Sequence, residues 1–305
     1  MNIFITGGTG FVGTTLSASL AARGHRVTIL TRPGERKDIH ATETGISYFT
    51  GDPTVEGPWQ EEASRHEVFI NLAGTNIFTR WNEQSKRLIR ESRIYTTNNL
   101  VAAIGRRKGA HSVLFSTSAV GYYGFNDDEI LNESSPAGND FLASLAVEWE
   151  RTAERAAESG ARVVACRFGI VLGRGGGALR QMLPLAHLGL ASPLGSGNQW
   201  FSWIHEGDLV RIYQHLLAHS EIHGAVNFTS PKPVRNGEYT KILTRVLGRP
   251  SFLPPVPAFA LRLILGEFGS VLLKGQRVHP EKLLKSGFIF SFPLIEDTLR
   301  DLVLK

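Results

Sequence analysis

A chain of 305 residues with 42% hydrophobic and 20% charged side chains has the mix of a protein that buries a large core, which excludes disordered, collagen-like and coiled-coil classes. Its 33 Lys and Arg stand against 28 Asp and Glu, a formal charge of +5 spread along the sequence rather than gathered into one basic run, so nucleic-acid binding gains little support. The single cysteine, Cys166, excludes an internal disulfide and a multi-cysteine zinc site and suits a reducing compartment.

No apolar run approaches the roughly 18 residues of a membrane span, and Met1 leads directly into Asn2-Ile3-Phe4-Ile5-Thr6 rather than into a signal sequence. A cytoplasmic protein without a membrane partner is therefore expected. Strand-type runs at residues 3–6, 27–31, 46–50, 68–72, 112–116 and 162–168 alternate with helical patterns near 14–23, 82–107 and 143–159. A β-α repeat of this kind predicts an α/β fold with a doubly wound parallel sheet.

Beyond Phe168 the pattern loosens into the glycine run 173–177, a helix-like stretch 178–188 and a Gly-, Ser- and Pro-rich loop 189–200. This segment, about 172–200, reads as an insertion beside the sheet, on the substrate side. Asp208 reads as the N-cap of a helix over 209–219, and 226–228 as a last strand. Prolines thicken from Pro231 onward before two further helical stretches. The expected division is a nucleotide-binding domain over 1–229 and a small C-terminal domain over 230–305.

Gly7, Gly10 and Gly13 have the spacing G-x-x-G-x-x-G directly after the first strand and at the opening of a helix, in Gly7-Gly8-Thr9-Gly10-Phe11-Val12-Gly13. Glycines there permit a tight turn and close backbone approach, while helix N–H groups and the helix dipole hold a pyrophosphate. The second strand ends in Thr31-Arg32, where an NAD site usually carries a carboxylate; the next one is Glu35, beyond Pro33-Gly34. A guanidinium at Arg32 matches a 2′-phosphate bidentately, so NADP(H) is the expected cofactor, the alternative being that Arg32 is a solvated loop arginine. Leu72, Ala73 and Gly74 close the fourth strand with residues that let a cofactor cross the sheet edge, or that simply pack tightly, and Arg93 on the following helix either reaches the cofactor or belongs with Lys86, Arg87 and Arg90 to a solvated face.

These residues, with Phe115-Ser116-Thr117-Ser118-Ala119-Val120-Gly121-Tyr122-Tyr123-Gly124 and with Trp203-Ile204-His205 before Asp208, resemble the extended short-chain dehydrogenase/reductase superfamily over nearly the whole chain. More narrowly the chain is similar to its atypical "epimerase family protein" branch, through Ser118 to Gly124, Gly195-x-Gly197-x-Gln199-Trp200-Phe201-x-Trp203-Ile204-His205 and Gly275-Gln276-Arg277-Val278-x-Pro280. The resemblance implies a substrate-binding hydroxyl at Ser118 and a proton-transferring Tyr followed four residues later by Lys. The corresponding positions hold Phe141 and Leu145, and none of the six tyrosines has a lysine four residues on. Tyr122 and Tyr123 are the nearest candidates for the proton, or else line the pocket. By the same resemblance Val171 contacts the nicotinamide end of the cofactor through its backbone, with core packing as the alternative.

The reading implied is an NADP-dependent oxidoreductase or epimerase-like enzyme on a small hydroxyl or carbonyl compound; the alternative is an NADP(H)-binding sensor or scaffold. A homodimer is common in such proteins, though no interface feature stands out. His215, His219 and His223 lack the partners of a metal site. His205 reads as a packed structural group or a cleft residue, and the glycine run 173–177 as a flexible loop or an anion nest. Trp81, Trp200, Phe201 and Trp203 are candidates for an aromatic wall over the pocket, or for an interdomain core.

Overall fold

The computed structural model describes residues 1–34, 45–107, 109, 111–250 and 253–304; Glu35 lies outside them. In chain order come β1 (Asn2–Thr6), α1 (Phe11–Ala22), β2 (Arg26–Thr31), β3 (Ile46–Thr50), α2 (Trp59–Ala63), β4 (Val68–Asn71), α3 (Glu83–Gly105) and β5 (Val113–Ala119). A short 3-10 turn (Val120–Tyr123), β6 (Ile130–Leu131), α4 (Phe141–Glu154), β7 (Arg162–Phe168), β8 (Ile170–Gly173), α5 (Gly177–His187), β9 (Trp200–Phe201), β10 (Trp203–His205), α6 (Glu206–Ala218) and β11 (Gly224–Phe228) follow. The remainder holds β12 (Val234–Arg235), α7 (Asn236–Val246), α8 (Ala258–Leu265), α9 (Glu267–Val271), β13 (Arg277–Val278), α10 (Glu281–Lys285) and α11 (Ile295–Leu304).

Seven strands form one sheet in the order β11-β7-β5-β4-β1-β2-β3, with every neighbouring pair parallel. The expected doubly wound sheet is therefore present, and its order reverses between β1 and β4. Such sheets bind ligands outside the carboxyl ends of their strands at that reversal. The strand sequences explain its burial. In β1 the period of two sends Ile3 and Ile5 to the core under α1 and α6, and Phe4 to the opposite core with Trp59 and Leu100.

The inserted segment and the C-terminal region share a third core, in which Leu172, Leu179, Phe201 and Trp203 pack with Tyr239, Leu243 and Leu299. β9 pairs with β12 across the expected division at residue 229. The C-terminal region also returns to the main core through Leu283, Phe288 and Phe290.

Three local expectations are corrected. The cap of α6 is His205, whose Nδ1 accepts from the Gly207 N–H at 2.9 Å. Asp208 instead lies buried in the first turn, where it accepts from the backbone N–H groups of Ser291 and Phe292 at 2.9 and 2.8 Å and ties the C-terminal segment down. The other two concern number: α2 is an element the sequence pattern does not show, and five helices rather than two follow Pro231. Among the described residues no helix is long and apolar enough to cross a membrane.

Candidate cofactor and substrate site

The turn after β1 crosses the end of β4 at backbone contact. Gly7 has φ +70°, and a Cβ on it would come within 2.7 Å of Ala73 N and the Leu72 carbonyl carbon; a Cβ on Gly13 would lie 2.4 Å from Gly7 O. Only glycine fits both places. Gly10 is the N-cap of α1 without a side-chain cap bond, and no acid occupies the first turn. The leading N–H groups of α1 are thus left for an anion. Thr31 is buried at the end of β2, and Arg32 beside it is exposed.

Arg93 projects from α3 toward this crossing. Its guanidinium donates to the carbonyls of Thr75 and Ile89 at 3.1 and 3.0 Å, lies over the Trp149 ring and stands 3.1 Å from where a Gly74 Cβ would be. Its described hydrogen bonds reach carbonyls and no carboxylate, and burial pulls its pKa down to about 10, so it remains charged at neutral pH. The helix is anchored by a satisfied buried chain: Thr6 Oγ1 donates to Asn71 Oδ1, Asn71 Nδ2 and Trp149 Nε1 donate to Thr97 Oγ1, and Thr97 donates to Arg93 O, at 2.7 to 2.9 Å.

A cavity of about 470 Å³ opens beyond the turn. Phe11, Val12, Arg93, Ser118 and Val171 all line it, so the structure brings the candidate residues of α1, α3, β5 and β8 together. Val171 also packs against the main core, which joins its two readings. The far wall is apolar, built from Leu142, Leu145, Trp149, Phe268, Val271 and Leu272. Among the lining residues only Arg93 and Lys274 carry titrating side chains.

Neither Tyr122 nor Tyr123 lines the cavity. The Tyr123 hydroxyl is buried, donates to Asn227 Oδ1 at 2.7 Å and accepts from Arg167 Nη1 at 3.0 Å. Burial pushes its pKa up to about 12. The Tyr122 ring lies 3.4 Å beneath the same guanidinium. Both tyrosines are thus engaged with Arg167 rather than with the cavity.

Ser118 meets the cavity differently. Its hydroxyl donates to Glu150 Oε1 at 2.6 Å, and Glu150 receives two further bonds from Arg167 Nε and Nη2, each at 2.8 Å. Burial opposes the Arg167 charge, but the paired Glu150 more than offsets it and raises the guanidinium pKa above its usual range. Neither Glu150 nor Arg167 stood out in the sequence. The available signal was Arg167 itself, a charge inside the apolar strand Val163-Val164-Ala165-Cys166-Arg167-Phe168, which a buried position permits only with a partner.

Gln199 supplies a second fixed polar group. Its Nε2 donates to the carbonyls of Leu194 and Leu272, both at 3.0 Å, which fixes the amide orientation and leaves Oε1 buried without a partner in the cavity lining. At the rim, the centres of the Arg235 and Arg277 guanidinium groups lie over the Trp200 ring at 4.3 and 4.7 Å. Of the expected aromatic wall, Trp200 and Phe201 line the cavity, while Trp81 and Trp203 belong to packed cores. The glycine run is explained by contact: a Cβ on Gly176 would come within 2.1 Å of the Phe11 ring. His205 is buried, stacked on Phe292 and within 3.4 Å of Asp301.

A parallel seven-stranded sheet with a glycine turn at its reversal and a cavity partly lined by the C-terminal region defines an extended short-chain dehydrogenase/reductase fold. Residues 3–228 match the model of the NAD dependent epimerase/dehydratase family, and residues 256–302 match a domain of unknown function, DUF1731. The chain belongs to the NAD dependent epimerase/dehydratase family. It is 40% identical over 303 residues to the chloroplastic epimerase family protein SDR39U1 homolog of Arabidopsis thaliana, covering 98% of this chain and 86% of that one. Epimerase family protein YfhF of Bacillus subtilis is 37% identical over 305 residues, 99% of this chain and 98% of that one. The crystal structure of human epimerase family protein SDR39U1 (isoform 2) with NADPH superposes with a TM-score of 0.87 at 35% identity, covering all of both chains.

Proposed function

We propose that the protein is an NADP(H)-dependent oxidoreductase or epimerase-like enzyme acting on a small hydroxyl or carbonyl compound, without the Tyr and Lys pair. The observation that carries the reading is Ser118, a cavity-lining hydroxyl bonded to a half-buried carboxylate at 2.6 Å. The cofactor site fits on its own terms. The turn from Gly7 to Gly13 and the open N–H groups of α1 would hold the pyrophosphate, Arg32 the 2′-phosphate, and Arg93 supplies a positive charge balanced by no carboxylate among its described bonds. Human SDR39U1, crystallised with NADPH, supports the choice of cofactor. The cofactor, when bound, gives or takes a hydride at the substrate carbon.

The chain's own residues would handle the proton. Ser118 commits its hydrogen to Glu150 and offers lone pairs to the cavity, so it accepts from a substrate hydroxyl. As the alcohol is oxidised, its proton passes to Ser118 Oγ and the Ser118 proton passes to Glu150 Oε1; reduction reverses both transfers. The unpartnered Gln199 Oε1 would accept a second donor, which favours a substrate with a further hydroxyl or N–H.

A binding protein that senses NADP(H) is the second reading, favoured by the absence of Tyr, His, Asp and Glu from the cavity lining. The test is calorimetric titration with NADPH and NADH, followed by a screen of hydroxylated carbonyl compounds with NADPH. NADPH binding ahead of NADH, with turnover that Ser118→Ala lowers about 10²–10⁴-fold, establishes the enzyme. Tight NADPH binding with no turnover of any compound establishes the sensor.

A further inference from the structure

Helix α8 presents an apolar face to solvent. Phe259 is 73% exposed, Leu263 72% and Ile264 67%. Its inner side is already committed: Leu261 is buried, and a Cβ on Gly269 of α9 would lie 2.3 Å from the Leu261 carbonyl oxygen. The end of α5 exposes a second apolar group, with Leu188 72% exposed and with Leu185 and Leu190 exposed beside it in sequence. The chain leaving α5 and the chain entering α8 run side by side: Gly189 lies against Pro250, Ser192 Oγ donates to Pro254 O at 2.6 Å, and Leu194 bridges to Val256. Exposed large apolar groups adjoining in this way mark an interaction surface rather than ordinary scatter.

The charge on the same segment selects the partner. Residues 241–277 contain Lys241, Arg245, Arg249, Arg262, Lys274 and Arg277 against one carboxylate, Glu267; Arg245 pairs with Glu296, Lys274 lines the cavity and Arg277 lies over Trp200, which leaves Lys241, Arg249 and Arg262 as the exposed cations of this stretch that face no described carboxylate. Glu267 is itself paired with Lys86 of α3. Arg249 and Arg262 are exposed on either side of Phe259 in sequence. A second copy of the chain is disfavoured here, because a two-fold contact would press the same basic segment against itself. Nucleic acid offers no partner for three exposed aliphatic and aromatic side chains on one helix. An anionic bilayer surface matches both features, taking Phe and Leu into the headgroup boundary while its phosphates meet the flanking arginines.

We propose that α8 and the end of α5 form a peripheral attachment site for an anionic membrane surface. The attachment needs no spanning helix. The face also adjoins the cavity, since α5 contributes Met182 and α9, directly after α8, contributes Phe268, Val271 and Leu272 to its lining.

The experiment is co-sedimentation of the full chain with vesicles of phosphatidylcholine alone and of phosphatidylcholine with one quarter phosphatidylglycerol, in low salt and in high salt. Phe259→Ser with Leu263→Ser, and separately Arg249→Glu with Arg262→Glu, change solvent-facing side chains, and unchanged NADPH affinity shows that each variant is folded. The expected result is binding to the anionic vesicles that exceeds binding to the neutral ones, weakens in high salt and falls at least tenfold in both variants. The proposal is overturned if the anionic vesicles fail to bring the chain down in low salt, or if the variants sediment like the wild type. It is equally overturned if light scattering shows a dimer that the Phe259 and Leu263 substitutions dissociate, which would give the face to a second copy.

Discussion

Replacing Glu150 by Gln tests the buried network that sets Ser118. Arg167 and Glu150 are 4% and 15% exposed at the side chain, and the pair is closed by two bonds of 2.8 Å. Glutamine keeps the shape but removes the charge and turns an amide N–H₂ toward a guanidinium nitrogen. Stranding one partner of a buried ion pair costs about 3–5 kcal/mol. Unfolding entropy of about 2.1 cal/mol/K per residue gives roughly 0.64 kcal/mol/K for a chain this long, so the melting temperature should fall by about 5–8 °C. The assay is urea and thermal unfolding followed by circular dichroism at pH 7. Glu150→Gln with Arg167→Met removes the stranded cation as well, so the double variant should be more stable than Glu150→Gln alone, though short of wild type because Tyr123 loses a donor. A Glu150→Gln protein within about 1 kcal/mol of wild type, or a double variant as destabilised as the two single changes added together, would refute the reasoning.

Gly13→Ala places a methyl group 2.4 Å from Gly7 O, a backbone atom with no room to yield, so it should cost about 1–3 kcal/mol and weaken NADPH binding at least tenfold by fluorescence titration. Arg32→Ala should raise the NADPH dissociation constant about 10–100-fold, as expected for one or two charged hydrogen bonds, and leave NADH binding unchanged. An equal loss for both nucleotides would sink the assignment of Arg32 to the 2′-phosphate. Burial lowers the pKa of both His66 and His205, so the folded chain keeps them neutral while the unfolded chain takes up protons near pH 6.5. Stability should therefore fall as pH drops from about 6.5 toward the lower native values, by up to about 1.4 kcal/mol per pH unit for each histidine. His205→Asn keeps a capping oxygen and removes one titrating group, so urea midpoints at pH 7, 6 and 5 should decline less steeply than in wild type; an unchanged slope removes His205 from the explanation.

The sheet was legible because its inner strands are buried on both faces and read as short apolar runs, and the glycine turn because backbone contact leaves no choice of residue at Gly7 and Gly13. α2 was missed because five residues are too few for a period of 3.6 to show. Asp208 misled for a different reason. A carboxylate near a helix start is a good cap in isolation, yet this one is used by Ser291 and Phe292 from more than eighty residues away. Such long-range partners are written nowhere in the local pattern, and the same holds for Glu150, which shows its role only once β5, α4 and β7 bring it between Ser118 and Arg167.

The positions that the family resemblance would give to tyrosine and lysine show how far the site has been rebuilt. Phe141 does not line the cavity; its ring packs edge-on against Trp81 at 5.3 Å, with the Lys86 ammonium 5.5 Å from its centre. Leu145 does line the cavity, as a buried part of an apolar wall that continues through Leu142 and Trp149. A lysine in that wall would add a third cation to the cavity that Arg93 and Lys274 already line, and the Arg93 charge is itself disfavoured by burial. The surroundings of both positions thus suit apolar side chains, and restoring the pair would conflict with the packing around it. On the proposed reading, proton handling falls instead to Ser118, the cavity-lining hydroxyl bonded to the Glu150 carboxylate at 2.6 Å.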